Sequence, residues 1–412
     1  MSQATTTHVF RQRSVKSRSG TVTAVAEPAP QTLDLTDDQR EIQALAREFA
    51  RTEIRPLSAD VDERDTYTPL DVVYKAAEVG LTSFMLPEQV GGGGIGDVLT
   101  GCIVQEELNW GCAGIGNLIT SGAFFGRPVI EVGTPDQQQR WLAPLCGPQP
   151  PLTSLASTEP GVGSDTAAMA TTAVRTGDEY VLNGQKTWIS NGGIAEYYVI
   201  FATVAPGTGS RGVTAFVVEK SDPGISFGEP MRKMGQRAII NTEVFLQDCT
   251  IPADRLLGEE GKGFYSLMHT FDESRIHLAA SAIGIARAAF EYSVEYAKTR
   301  NAFGKPIGQH QAVGFRLADM ATRIDAARLL CHRAARLMDA GRHVPAEAAM
   351  AKLFASETAT WVTWAAIQTL GGWGYSREYP VEKWSRDARL EELEEGTSDI
   401  QRLIVSRRLL RD

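Results

Sequence analysis

Three stretches of this 412-residue chain combine residue types that could do chemistry. The first is Arg389-Leu-Glu-Glu-Leu-Glu-Glu395, directly ahead of Gly396-Thr397. A run of acids at helical spacing reads as a solvated helix face, and Glu391 and Glu392 fit that reading. Glu395 differs, because Gly396 should break the helix and leave this carboxylate in a turn before the next one. The second stretch, Leu155-Ala-Ser-Thr-Glu-Pro-Gly-Val-Gly-Ser-Asp165, interleaves glycines with hydroxyl side chains. Such a loop lets backbone N–H groups approach an anionic or carbonyl-rich ligand closely, although alone it reads first as a linker. The third, Asn183-Gly-Gln-Lys-Thr-Trp-Ile-Ser-Asn-Gly-Gly193, carries Trp188, which by itself is an ordinary core aromatic.

The elements that must position these stretches follow from periodicity and caps. Thr36-Asp-Asp-Gln39 has the capping-box spacing, and Ile42, Leu45 and Phe49 then share a face. Further helices are expected after Pro69, across Val98 to Leu108 and from Thr134-Pro135, with Gly91-Gly92-Gly93-Gly94 as a loop. After Pro148-Gln149-Pro150-Pro151 the texture turns β-branched and aromatic. Strands are expected at Thr171 to Arg175, Tyr180 to Leu182, Tyr197 to Val204, Val213 to Glu219 and Glu243 to Leu246. Thr176-Gly-Asp-Glu179 has the look of a hairpin tip, and the lack of helices between strands favours an antiparallel sheet over a Rossmann arrangement. Helical spacing returns from Phe264. Stripes at Ile276, Ala280, Ile283, Phe290 and at Val313, Leu317, Met320, Ile324 mark two helices, Pro345 starts a third, and Ser398 with Gln401 caps a fourth. The expected fold is α+β, with a tail at residues 1–33, an N-terminal helical domain at 34–150, a central antiparallel β-domain at 151–260 and a C-terminal four-helix bundle at 261–412.

Composition narrows the function classes. Hydrophobic residues make up 43% and charged residues 22%, as in ordinary globular chains. A net charge of −9 with no long Lys/Arg block argues against nucleic acid as a partner. The longest nearly apolar stretch, Leu278 to Ala286, falls far short of the roughly 20 residues of a spanning helix, so no membrane insertion is expected. Five cysteines, widely spaced and odd in number, suit a reducing compartment, and the scattered histidines give no basis for a metal site. Residues 1–33 carry Arg11, Arg13, Lys16 and Arg18 with no acid before Glu27. That composition fits a disordered tail of a cytoplasmic protein or, as the alternative, a transit peptide to the mitochondrial matrix.

The second and third stretches together resemble the first signature of the acyl-CoA dehydrogenase family. The resemblance continues through Met234-Gly-Gln-Arg237, Phe271-Asp-Glu-Ser-Arg275, Arg300-Asn-Ala-Phe-Gly304, His310-Gln311, Gln368-Thr-Leu-Gly-Gly372, Tyr379-Pro-Val-Glu-Lys383 and Glu395-Gly-Thr397. It implies an FAD flavoprotein that dehydrogenates an acyl thioester at Cα and Cβ, with Glu395 as the base. The flavin is expected between the β-domain and the bundle. Leu155, Ser157, Thr158, Gly163 and Ser164 would hold it from the loop, and Trp188, Ile189 and Ser190 from the third stretch, with Thr397 and Asp399 after the base. Arg300, Phe303, His310 and Gln311, with Gln368, Gly371 and Gly372, match residues that reach the FAD of a neighbouring subunit, which implies a homo-oligomer, a dimer or a dimer of dimers. Asp272, Arg275, Ser164 and Gly396 match positions at the thioester ligand.

The expected electron acceptor is an electron-transferring flavoprotein. Some relatives place the base at the position held here by Ser274, which cannot serve unaided. Ala238-Ile239-Ile240 stands where relatives carry small polar residues near the carrier arm, so an acyl-carrier-protein thioester is an alternative to acyl-CoA. An oxygen-using oxidase is another, and a non-catalytic flavin-binding scaffold a remote third. Trp373 and Glu394 fall at variable positions and fix no chain length.

Overall fold

A computed structural model of the protein describes residues 34–410, so both expectations for residues 1–33 lie outside it. From its start the chain forms helices α1 (Asp37–Phe49), α2 (Ser58–Arg64), α3 (Leu70–Glu78), α4 (Val98–Gly111), α5 (Ala113–Val132) and α6 (Pro135–Leu142). The Thr134 side chain accepts from the Gln137 N–H while Gln137 reaches back, giving α6 the reciprocal cap its sequence predicts.

Strands follow: β1 (Thr153–Ala156), β2 (Thr172–Thr176), β3 (Glu179–Ser190), β4 (Tyr197–Thr203), β5 (Val213–Glu219), β6 (Ile225–Phe227), β7 (Asn241–Pro252) and β8 (Leu256–Leu257). They form one sheet in the order β6-β7-β3-β2-β4-β5-β8, with β1 added beside β4. Pairing is mostly antiparallel and the 176–179 hairpin is present. The parallel pairing of β1 with β4 is a departure from the expected antiparallel arrangement.

Two strands run much further than their sequence runs indicated. The chain passes through Asn183-Gly184 as a bulge, where Asn183 is tied across to Asp248 (Asp248 N–H to Asn183 Oδ1 2.8 Å, Asn183 Nδ2 to Asp248 Oδ1 3.1 Å). Both faces of the central strands are covered, so β4 and β5 read as continuous apolar runs. The pleat sorts them. Tyr198, Ile200, Ala202, Phe216 and Val218 enter a core shared with Phe49, Leu108 and Ile115, whereas Val199, Phe201, Val213, Ala215 and Val217 enter one shared with Phe125, Trp141 and Leu267.

The C-terminal part contains α7 (Gly263–Thr299), α8 (Gln311–Asp339), α9 (Pro345–Leu370), α10 (Val381–Glu391) and α11 (Ser398–Leu409), with the small ribbon β9 (Asn301–Ala302) and β10 (Lys305–Pro306) between α7 and α8. The short α10 adds to the four expected helices. α7, 37 residues long, is the central rod. It passes α4 so closely at Gly284 that a Cβ there would stand 2.4 Å from the Glu106 carbonyl oxygen. The cap of α11 lies one residue earlier than expected. Thr397 accepts from the Ile400 N–H, which frees the Gln401 side chain for a different task.

Candidate active site

Between α10 and α11 the chain turns left-handed at Glu395 (φ 49°) and Gly396 (φ 97°). Glycine takes that conformation without strain, whereas the glutamate holds it only because its surroundings fix it. The Glu395 carbonyl accepts from Arg275 Nε at 3.1 Å and Gln401 Nε2 at 3.2 Å. The next carbonyl, Gly396, accepts from Gln401 Nε2 at 2.8 Å and from the Lys352 ammonium at 2.9 Å. With the backbone pinned, the side chain enters the protein, where the Ser274 hydroxyl donates to Glu395 Oε2. Among the described residues no acceptor pairs with the Glu395 N–H.

Burial pushes the Glu395 carboxyl up to about 7, against Ser274, Arg275 and Lys352, which all favour its charged form. A carboxylate balanced there accepts a proton near neutral pH far more readily than an exposed one. Asp272 and Arg275 are both buried and form an ion pair at 2.9 Å, so they are no surface salt bridge. Arg275 thereby ties α7 to the turn. Ser274, set aside in the sequence as unable to act as a base unaided, is the side-chain hydrogen-bond donor to Glu395.

The acidic run needs correction at Glu391. It is fully buried, where a solvated face was expected, and its Oε1 accepts from Gln236 Nε2 at 2.9 Å and Ser281 Oγ at 3.0 Å. Both partners are distant in sequence, so helical spacing alone could not show that this face meets protein. Glu392 pairs with Arg389 at 2.9 Å, but its side chain is only 14% exposed, so it too departs from the solvated face expected.

The second and third stretches form a shelf at the edge of the sheet. β3 bulges between Lys186 and Ile189, with Trp188 at φ 59° and 59% exposed. A large aromatic in that conformation and that exposed is no core residue. Its carbonyl accepts from Asn241 Nδ2 at 3.0 Å, and the same amide group donates to Ser190 Oγ at 3.2 Å. The loop is tied to the strand by the Thr187 N–H to Thr158 carbonyl bond of 3.0 Å.

Behind the shelf, the fully buried Lys186 ammonium meets Glu159 Oε1 at 2.7 Å and the Ser157 carbonyl at 3.3 Å. The Glu159 carboxylate also accepts the N–H groups of Ala170 and Thr171 at 2.6 and 2.9 Å. Burial opposes its charge, but Lys186 and these donors hold its pKa below the ordinary range. Ser157 and Ile189 point inward and are buried, and Leu155 is half-buried, whereas Gly163, Ser164 and Ser190 are exposed. A Cβ at Gly161 or Gly163 would meet nothing within 4 Å, so the loop backbone is open to a ligand.

A third group sits apart from these two. Arg300 caps α7, Phe303 (95% exposed) tips the β9–β10 ribbon, and His310 Nε2 bonds the Ala302 carbonyl at 3.0 Å, with Gln311 next in line. Gln368, Gly371 and Gly372 are exposed at the end of α9. Arg316, near the start of α8, reaches Thr369 Oγ1 at 3.5 Å and holds the two patches near each other. Among the described residues no hydrogen bond, ion pair or ring contact joins this corner to the shelf or to Glu395. Thr397 is used as a helix cap, and Asp399 is exposed in the first turn of α11.

Sequence reasoning passed over Lys352, Gln401, Asn241, Glu159 and Lys186 as working parts. Lys352 had a visible signal, a lone lysine in the small-residue run Ala346-Glu-Ala-Ala-Met-Ala-Lys-Leu-Phe-Ala355. Such a helix packs on all sides, so its one lysine must find a partner inside.

Comparison with known proteins matches this arrangement along its length. Family models described as the acyl-CoA dehydrogenase N-terminal, middle and C-terminal domains match residues 36–148, 154–249 and 261–410. The mitochondrial short-chain specific acyl-CoA dehydrogenase of Bos taurus is 42% identical over 382 residues, 92% of each chain. Butyryl-CoA dehydrogenase from Megasphaera elsdenii superposes with a TM-score of 0.88 at 38% identity, over 92% of this chain and 100% of that one. The prolyl acyl carrier protein oxidase AnaB superposes with a TM-score of 0.87 at 31% identity, over 92% of this chain and 100% of that one. Matched over all three of its parts, the chain belongs to the acyl-CoA dehydrogenase family.

Proposed function

We propose that this protein oxidises a short-chain acyl-CoA thioester to the trans-2-enoyl thioester, with FAD as cofactor and Glu395 removing the α-proton. The observation that carries the reading is the Glu395 turn, a half-buried residue with its carboxyl raised to about 7, its main chain pinned by Arg275 and Gln401 and its side chain bonded by Ser274. The short-chain preference is taken from the named function of the bovine and Megasphaera relatives.

The shelf fits a flavin on its own features. Trp188 offers a ring face, Thr158, Ser164 and Ser190 offer hydroxyls, and the open loop at Gly161 to Gly163 offers backbone N–H groups to a pyrophosphate. FAD held there supplies the hydride acceptor for the β-hydrogen. Loss of a thioester α-proton places negative charge on the carbonyl oxygen. The unpaired N–H of Glu395 is the donor this chain contributes to that oxygen, beside the carboxylate that takes the proton. Ser274 holds the carboxylate in one rotamer and, by favouring its charged form, keeps it available as a base.

In the same reading, residues 34–150, 151–260 and 261–412 are the three domains. Arg300, Phe303, His310, Gln311, Gln368, Gly371 and Gly372 complete the flavin site of a second subunit, which explains why they stand exposed and away from Glu395. Asp272, Arg275, Ser164 and Gly396 line the thioester. Electrons pass to an electron-transferring flavoprotein, and the protein works in the cytoplasm. No helix among the described residues is long and apolar enough to cross a membrane.

A carrier-protein thioester is the second reading, favoured by the buried, apolar Ala238 and Ile240 and by the named substrate of AnaB. The test is anaerobic titration of the purified protein with butyryl-CoA while following the visible band of oxidised flavin. Bleaching supports the reaction. Bound flavin that stays oxidised with butyryl-CoA and with butyryl carrier protein alike overturns it.

A further inference from the structure

The Ser281 hydroxyl on α7 has one proton and two oxygens to answer. Its Oγ lies 2.9 Å from Asn109 Oδ1 on α4 and 3.0 Å from Glu391 Oε1 at the end of α10, and all three residues are buried. The Asn109 amide cannot reverse to help. Its Nδ2 donates to the Gln105 carbonyl at 2.9 Å, and a reversed amide would set oxygen against oxygen there.

With Glu391 ionised, Ser281 can satisfy one of its two neighbours and must face the other as a bare oxygen. With Glu391 un-ionised, both contacts are answered: the acid O–H donates to Ser281 Oγ, and the Ser281 O–H donates to Asn109 Oδ1. Glu391 Oε1 still accepts from Gln236 Nε2 at 2.9 Å. Its buried Oε2, which has no partner, is then a neutral carbonyl oxygen, much less costly to desolvate than half of a carboxylate.

These contacts close on themselves. Gln236 Oε1 accepts from Asn117 Nδ2 at 3.0 Å, Asn117 Oδ1 accepts from Gln105 Nε2 at 2.5 Å, and the Gln105 carbonyl leads back to Asn109. The closed chain ties the end of α10, four residues ahead of Glu395, to α4, α5, α7 and the Gln236 loop.

The charged groups around Glu391 are engaged elsewhere. Lys352 of α9 bonds the Gly396 carbonyl, and Arg275 of α7 bonds Asp272 and the Glu395 carbonyl. Lys233 directs its donors to the Gln236 and Ile239 carbonyls and Asn241 Oδ1, and Lys383 of α10 pairs with Asp387 at 2.5 Å. Glu394 and Glu395 follow α10 and repel a charge on Glu391. α4 and α5 meet it through neutral amides.

Glu395 is placed differently. The Ser274 hydroxyl donates to its Oε2, with Arg275 and Lys352 beside it to favour charge. The Phe271 carbonyl, 3.3 Å from the same hydroxyl, lies inside α7 where the helix supplies its donor, so Ser274 is free to serve the glutamate.

We propose that Glu391 is a positioning residue that holds the proton of this carboxyl pair toward Ser281, so that Glu395 alone of the two bears negative charge. The inference rests on the dehydrogenase reading, in which a second charge here would oppose the one developing on the thioester oxygen. The neutral acid keeps the α10 end seated on α7 while adding no repulsion.

Infrared spectroscopy of the flavin-loaded protein just below neutral pH reads this proton directly. An un-ionised carboxyl gives a C=O stretching band that shifts on exchange into D2O. Glu391→Gln should remove one such band, and Ser281→Ala should move it to higher wavenumber by taking away its acceptor. The pH profile of single-turnover flavin reduction by butyryl-CoA adds a second readout. If Glu391 is un-ionised, the acid limb in Glu391→Gln stays where it stands in the unaltered protein. Removal of a true negative charge would instead carry the limb to lower pH.

A difference spectrum between unaltered protein and Glu391→Gln that lacks a carboxylic-acid band, or an acid limb that moves to lower pH, overturns the inference. Should Glu391→Gln fail to fold, a band left unmoved by Ser281→Ala overturns it as well. The infrared readouts need no turnover. Flavin that butyryl-CoA fails to bleach would therefore take down the dehydrogenase reading, and the role given to Glu391 within it, while the location of the proton is still decided.

Discussion

The shelf and the Glu395 turn hold unusual backbone in opposite ways. At the shelf, Trp188 sits at positive φ with its ring in the open, and the restraint lies behind it, in the buried Lys186–Glu159 pair and the Asn241 amide. At the turn, Glu395 sits at positive φ with its carboxylate facing inward, and the restraints surround it from α7, α9 and α11. The difference follows from what each must present. A surface for a large planar ligand has to stay uncovered, so its support is on one side. A base has to be desolvated, so its support closes around it, and the closure itself tunes the pKa.

The sharpest way to break this contrast is at Glu395, the proposed base. Glu395→Gln keeps the shape and removes the proton acceptor, so turnover should drop by about 1,000-fold or more while flavin content stays as in the unaltered protein. Flavin loss in this variant would mean that the two regions are not separable. The converse experiment is Lys186→Met, which strands a buried carboxylate at Glu159 and should cost about 3–5 kcal/mol in stability, with flavin lost during purification. Retention of full flavin content would show that the shelf does not depend on its buried support.

A third measurement sharpens the account of burial. Glu391 titrates at about 7 in the folded state against 4.5 for an exposed glutamate. The folded chain therefore binds more protons than the unfolded one between those values. Stability should fall as pH rises through that window, by up to about 3 kcal/mol from this group. Melting curves across the window should show the decline, and Glu391→Gln should make it shallower, the remainder coming from Glu394 and Glu395, which burial also raises. An unchanged slope in the variant would assign the decline to other groups.

The smallest effect is expected at Ser274. Ser274→Ala removes the hydroxyl that favours charged Glu395, so the acid limb of the rate profile should move to higher pH and the rate at neutral pH should fall about tenfold. An acid limb that stays in place would mean that the serine does not touch the working carboxylate.

The parts of this architecture written in local sequence were legible from it. The reciprocal cap at Thr134, the hairpin at Thr176 to Glu179 and the turn forced by Gly396 each depend on residues within a few positions of one another. What was missed depends on partners far along the chain. Asn183-Gly184 carries the composition of a turn, and only the reach of Asp248 keeps it in a strand. Glu391 has the spacing of a solvated face, and only Gln236 and Ser281 make it an interior residue. The strand Thr153–Ala156 is four residues long and pairs in parallel with one more than forty positions on, so neither alternation nor a hairpin marks it. The Ser398 cap missed by one position because Thr397 and Ser398 are chemically equivalent for that task.

The Trp188 backbone sets selection for durability against selection for use. A glycine at this position would adopt the same φ without the roughly 1–2 kcal/mol that a side chain costs in left-handed backbone. With more than half of its surface in solvent, the indole returns little of that through packing. A laboratory evolution campaign scored only on heat resistance should therefore accept Trp188→Gly, yielding sturdier chains that have surrendered the ring face of the shelf. That an aromatic stands there points to a demand on this residue other than the persistence of the fold.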